Sequence, residues 1–221
     1  MPKLSILGKS HNPRYEGQYY KNDDAIEKVI RYITRTRHME DRIGELICCG
    51  GSGVSFNYGV DYIIHQMQTT QDFYNINDRR GRRLGHEVFS FSDEDFELVL
   101  DSDYRAVDHI AQEVCDYYFS KGFEAVYAVH YDEEKHVHIH VAYNYVSYLD
   151  GHKYRSRRDD IIEKNAAYLN AYWKAYLIID KRRKQQMGVT VPLVMNLGKY
   201  FWTIEADSLD SNNNGKEKIH A

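Results

Sequence analysis

The chain has 221 residues, 43% hydrophobic and 28% charged, with a formal net charge of −4. This is a globular composition with enough apolar residues for the core of one large domain. The net charge argues against nucleic-acid binding spread over the whole surface, no apolar run reaches membrane length, and no signal peptide or internal repeat is visible. The three cysteines, Cys48, Cys49 and Cys115, have no framework spacing, so reduced thiols and a cytoplasmic location are expected.

Residues 1–18 are polar and read as irregular. Asn22 or Asp23 is placed to cap a first helix, and Ile26, Val29, Ile30 and Ile33 follow at helical spacing. Tyr32 falls at the edge of that apolar stripe. Residues 48–59 contain Gly50, Gly51, Gly53 and Gly59 and read as a loop without the lysine or spacing of a phosphate-binding loop. A second helix is expected over 60–74, with Ile63, Ile64 and Met67 toward the core. A basic turn holding Arg79, Arg80, Arg82 and Arg83 follows. Residues 87–92 alternate as a strand with Glu87, Phe89 and Phe91 on one face and His86 and Ser90 on the other. Glu87 is a candidate to orient a tyrosine or a histidine ligand, with a rim salt bridge as the alternative. Residues 92–95 suit a cap. The next helix spans 104–119 and shares Val107, Ile110, Ala111, Val114, Cys115 and Tyr118 on one face, with His109 exposed.

The stretch from Ala125 to Asn144, AVYAVHYDEEKHVHIHVAYN, holds His130, His136, His138 and His140. In His136-Val137-His138-Ile139-His140-Val141 the period of two puts imidazoles on one face and aliphatics on the other. The preceding residues also read as a strand, and the polar residues from Asp132 to Lys135 read as the turn between them. An odd number of loop residues sets His130 directly across from His138, with His140 one step along; an even loop reverses the face. The odd loop is expected. His130, His138 and His140 then form a candidate metal site with open positions, suited by donor softness to Mn, Zn, Ni, Co or Fe and less to Mg. After a turn at Asp150-Gly151, Arg155, Arg157 and Arg158 form a second basic cluster, and Lys181 to Lys184 a third. A long helix is expected over about 159–186, with Tyr168, Tyr172 and Tyr176 in one stripe that reads as packing. Residues 189–201 suit an edge strand or short helix. The domain is expected over 1–205, with a polar, disordered tail over 206–221. The fold class is α+β: a central antiparallel sheet of four or five strands, flanked by helices.

Several of these residues carry a family resemblance. His130-Tyr131-Asp132, the following His138-Ile139-His140 and Asn144 resemble the signature of the relaxase/mobilisation nuclease family of HUH endonucleases. Gly122 to His130, Asp150-Gly151-His152-Lys153-Tyr154 and His86-Glu87-Val88-Phe89-Ser90-Phe91 resemble its looser segments, and the resemblance runs from about residue 25 to about 160. It implies site- and strand-specific DNA nicking and rejoining through a 5′-phosphotyrosine, starting conjugative mobilisation at a transfer origin. It implies a divalent metal, Mn or Mg above all, with Zn, Ni or Co as others. It also implies single-stranded or hairpin DNA as substrate, and accessory relaxosome and coupling proteins as partners. Arg31-Tyr32-Ile33-Thr34 resembles the early segment of the family that carries the catalytic tyrosine, which assigns that role to Tyr32. Behind the ligands, Asn144 is expected to hydrogen-bond a ligand or backbone and Asp132 to orient a histidine or close the turn, with the arginines at 79, 80, 82, 83, 155, 157 and 158 toward DNA phosphates. Replication initiators and transposases of the same superfamily are the rival reading, with the nucleophile among Tyr168, Tyr172 and Tyr176. A non-catalytic metal- or DNA-binding module is the third.

Overall fold

The computed structural model describes residues 3–7, 20, 23–36, 40–74, 81–91, 105–132 and 136–155. Among these, five strands form one antiparallel sheet: β1 (Lys3–Leu7), β2 (Leu46–Ser52), β3 (Leu84–Ser90), β4 (Ala125–Asp132) and β5 (His136–Asn144). The order across the sheet is β1-β3-β5-β4-β2, so the histidine strand β5 lies at the centre, paired on both sides. Three helices accompany it: α1 (Ala25–Ile33), α2 (Val60–Phe73) and α3 (Arg105–Ser120).

The two faces of the sheet are covered by different helices, as the alternation in β5 requires. Val137, Ile139 and Val141 are fully buried on one face, with Val107, Ile110, Val114 and Tyr118 of α3 in the same core. The other face carries the imidazoles and, further along, Ala142 of β5 and Val126 and Ala128 of β4. There the apolar stripe of α1 (Ile26, Val29, Ile30, Ile33) and Ile63, Ile64 and Met67 of α2 close a second core. The helix spacing read from the sequence predicts these buried positions, because each stripe meets a sheet. Small residues at 126, 128 and 142 let the helices approach, and the larger imidazoles then sit at the C-terminal end of α1.

Two elements depart from the sequence reading. Lys3–Leu7 is an edge strand paired with β3, although it lies in a stretch expected to be irregular. Leu46–Ser52 is the other edge strand, paired with β4, although its glycines suggest a loop. Those glycines serve close approach. A Cβ at Gly50 would overlap the Tyr127 hydroxyl, and one at Gly51 the Ala125 carbonyl. Gly53 and Gly59, with φ of 74° and 84°, are the loop glycines of the run. The first helix is capped at Asp24 rather than at the expected Asn22 or Asp23, with no side-chain cap hydrogen bond. The expected cap at 92–95, the helix at 159–186, the element at 189–201 and the tail at 206–221 lie outside the described residues.

Candidate metal centre and active site

Register builds the site. His130 of β4 stands directly opposite His138 of β5, and Ala128 opposite His140, so the expected odd turn is the one observed. Ring centroids are 5.3 Å apart for His130 and His138, 4.6 Å for His130 and His140, and 4.9 Å for His138 and His140. One nitrogen from each ring lies within 4.8 Å of the others, and all three side chains are buried. Three imidazoles so placed could together hold a metal ion.

The surroundings keep His130 and His140 neutral, as ligation requires. Burial pulls the His130 pKa down to about 4, against an opposing hydrogen bond to the Ile33 backbone and with help from the Arg35 charge. Burial and the neighbouring imidazoles hold His140 well below the ordinary histidine range. The His140 Nε2 atom is buried with no hydrogen-bond partner among the described residues. A buried imidazole nitrogen without a partner, in a residue grouped with two other imidazoles, is what a metal would satisfy, so these residues fit the ion that the donor set implies.

Behind this ring sits a fourth histidine. His86 of β3 pairs with Ala142, one step along from the Val88–His140 pair, and so shares the imidazole face. Its Nε2 is 2.9 Å from His140 Nδ1, and its Nδ1 is 2.9 Å from the Tyr20 hydroxyl. His86 is fully buried, and desolvation followed by the His130 charge lowers its pKa to about 3. Ligation through His140 Nε2 requires the proton of that ring on Nδ1. The chain of donors then runs from His140 Nδ1–H to His86 Nε2, and from His86 Nδ1–H to the Tyr20 oxygen. His130 is held from the other side: its Nε2–H donates to the Ile33 carbonyl at 2.6 Å, and Arg35 Nη2 donates to its Nδ1 at 3.1 Å.

Tyr32, at the end of α1, packs its half-buried ring edge-on against His140, with centroids 5.6 Å apart. The Arg35 guanidinium carbon lies 4.9 Å from the centre of the Tyr32 ring. Tyr20 is the second tyrosine at the site, and burial raises its hydroxyl to about 12.

Other residues expected at the site lie elsewhere. Glu87 is fully buried on the α3 face, where it accepts a hydrogen bond from the Tyr118 hydroxyl at 2.8 Å. Alternation along β3 puts it opposite the imidazoles, whereas His86 shares their face and meets His140. Asn144 contacts no imidazole in the hydrogen bonds described: its Nδ2 donates to Met67 carbonyl and Glu124, and its Oδ1 accepts from Gln71. It ties β5 to α2. Asp132 pairs with His136 at the hairpin end, and its side chain lies outside the described residues. Arg83 is mostly buried, bound to the exposed Asp23 at 2.7 Å and to Gln71. Arg82 acts on Tyr20 and Tyr145, and Arg155 is exposed beside Lys153, lining a concavity of about 630 Å³ with Lys121 and Tyr117. Arg79, Arg80, Arg157 and Arg158, and Tyr168, Tyr172 and Tyr176, lie outside the described residues. His86, Arg35 and the Ile33 carbonyl are the site groups that the sequence reading missed. The parity of His86, opposite Phe89 and Phe91 on its strand, was the available signal.

An antiparallel sheet whose central strand and its neighbour bring three imidazoles together beside the C-terminal turn of α1, with Tyr32 in contact, makes an arrangement that could hold a metal ion. Residues 18–176 match the family described as relaxase, MobA/VirD2-like, nuclease domain, over more than two thirds of the chain. The chain belongs to that family, which implies a DNA-nicking enzyme of conjugative mobilisation. No curated protein is similar enough to the chain to count as a relative.

Proposed function

We propose that the protein nicks and rejoins one strand of DNA at a transfer origin, with Tyr32 as nucleophile and His130, His138 and His140 holding a divalent metal. The observation that carries this reading is the contact of the Tyr32 ring with His140, a member of the buried triad. A bound divalent ion would supply a Lewis acid for the non-bridging phosphate oxygens. The remaining work falls to side chains. The edge-on packing of Tyr32 on His140 and the guanidinium over its ring restrict where its hydroxyl can go, which lowers the entropic cost of alignment. The Tyr32 oxygen forms a bond to phosphorus as the bond from phosphorus to the 3′ oxygen breaks. The phenol proton leaves and the 3′ oxygen gains one, giving a 5′-phosphotyrosine and a 3′ hydroxyl. One phosphodiester replaces another, so the reverse step rejoins the strand without an external energy source.

The substrate on this reading is single-stranded or hairpin DNA, and the metal is Mn or Mg by resemblance. The test is His138→Ala. His138 is buried in the triad, and its loss should abolish binding of one divalent ion by calorimetry and abolish nicking of origin-derived single strands. Unchanged metal stoichiometry in that variant would remove the metal centre from the account.

A further inference from the structure

We propose that Arg35 is a built-in competitor of the metal, holding the His130 lone pair that a ligated ion would need. The inference rests on the reading of the triad as a metal centre. Proton positions at His130 follow from the partners alone. A carbonyl cannot donate, so the contact with Ile33 fixes the proton of His130 on Nε2. A guanidinium cannot accept, so Arg35 Nη2 donates to Nδ1. The lone pair of His130 is therefore the nitrogen that faces Arg35.

Arg35 is built into this position. It is only 1% exposed, and its backbone adopts φ of 52°, in the left-handed region that a side chain rarely occupies. Its Nη1 donates to the Tyr32 carbonyl at 3.2 Å, and its Nη2 is shared between His130 and Glu45, the latter at 2.8 Å. Its Nε is buried with no partner among the described residues. Arginine keeps its charge at every working pH, so a divalent cation and this guanidinium repel each other across one imidazole nitrogen. His130 can ligate through Nδ1 only if Arg35 withdraws. Glu45 is the group toward which it can withdraw. It lies on the turn Glu40–Glu45, is partly exposed, and also accepts from Arg42 Nε at 2.6 Å. Metal affinity is then set by a balance among His130, Arg35 and Glu45.

The experiment is calorimetric titration of the full chain with Ni²⁺, with far-ultraviolet circular dichroism as the folding control. Arg35→Met keeps the packing over Tyr32 and removes the charge, and it should tighten Ni²⁺ binding by about tenfold or more. Glu45→Gln removes the withdrawal partner and should weaken binding severalfold in the protein that keeps Arg35. In the Arg35→Met background the same change should have little effect, because Glu45 acts through Arg35. Equal or weaker binding by a folded Arg35→Met protein would overturn the proposal. So would a Glu45→Gln effect of the same size in both backgrounds. If Arg35→Met does not fold, Arg35→Gln takes its place, with tightening again expected and equal or weaker binding again contrary. Binding that survives His138→Ala, or that is missing from all forms, would instead remove the metal reading and this inference with it.

Discussion

The imidazoles at 86 and 130 are uncharged at neutral pH because burial penalises their charged forms, and that has a consequence for stability. Their folded pKa values, about 3 and about 4, lie below the ordinary histidine value of 6.5. Below pH 6.5 the unfolded chain takes up protons that the folded one refuses. The stabilisation is complete above 6.5 and is lost as pH falls toward the folded values, at up to ~1.4 kcal/mol per pH unit for each group. In chelator-treated protein the urea midpoint should fall steadily from pH 7 to pH 5; a flat midpoint over that range would mean that these imidazoles are solvated. At this scale the triad was legible because alternation along β5 and an odd turn suffice to place it. His86 and Arg35 were not, because their contacts with His140 and His130 depend on neighbours 54 and 95 positions away in sequence. Glu87 was assigned toward the site although its own alternation with Phe89 and Phe91 put it on the apolar face.

Elements show the same division. The apolar stripes of α1, α2 and α3 were readable because a helix presents one face at a time, whereas the edge strands β1 and β2 were not. Edge strands need only one partner and can be short or glycine-rich, so local sequence signals them weakly. Asn144, expected to bond a ligand or backbone, takes the backbone alternative. It joins β5 to α2 through Met67 and Gln71 and donates to Glu124 just before β4, where burial raises the Glu124 pKa against hydrogen bonds from Asn144, Thr70 and Gln66. Asn144→Ala would leave the Glu124 carboxyl and the Met67 carbonyl short of a donor, and should cost about 2–4 kcal/mol in denaturant unfolding. Metal affinity at saturating folded protein should be unchanged. A selective loss of metal affinity with normal stability would return Asn144 to the ligand shell. Gly85→Ala should be destabilising by about 1–3 kcal/mol in the same assay, since a Cβ there overlaps the buried Tyr143 ring.

For the whole molecule, no helix among the described residues is long and apolar enough to cross a membrane, and the net charge is negative. DNA must therefore be gripped by local cations, and affinity for single strands should fall steeply with salt, by a log–log slope of about −0.7 for each phosphate neutralised. A salt-independent affinity would point to stacking without phosphate contacts. The claim that joins fold, metal centre and family is that Tyr32 attacks DNA beside the triad. Its direct test is incubation with Mn²⁺ and single-stranded DNA spanning the transfer origin, followed by peptide mapping of the covalent species on a denaturing gel. The account predicts an adduct on the peptide carrying Tyr32. Tyr32→Phe should abolish that adduct and leave folding and metal binding intact, while Phe at 168, 172 or 176 should leave the adduct in place. An adduct mapped to the later tyrosines, or one that persists in Tyr32→Phe, would contradict it.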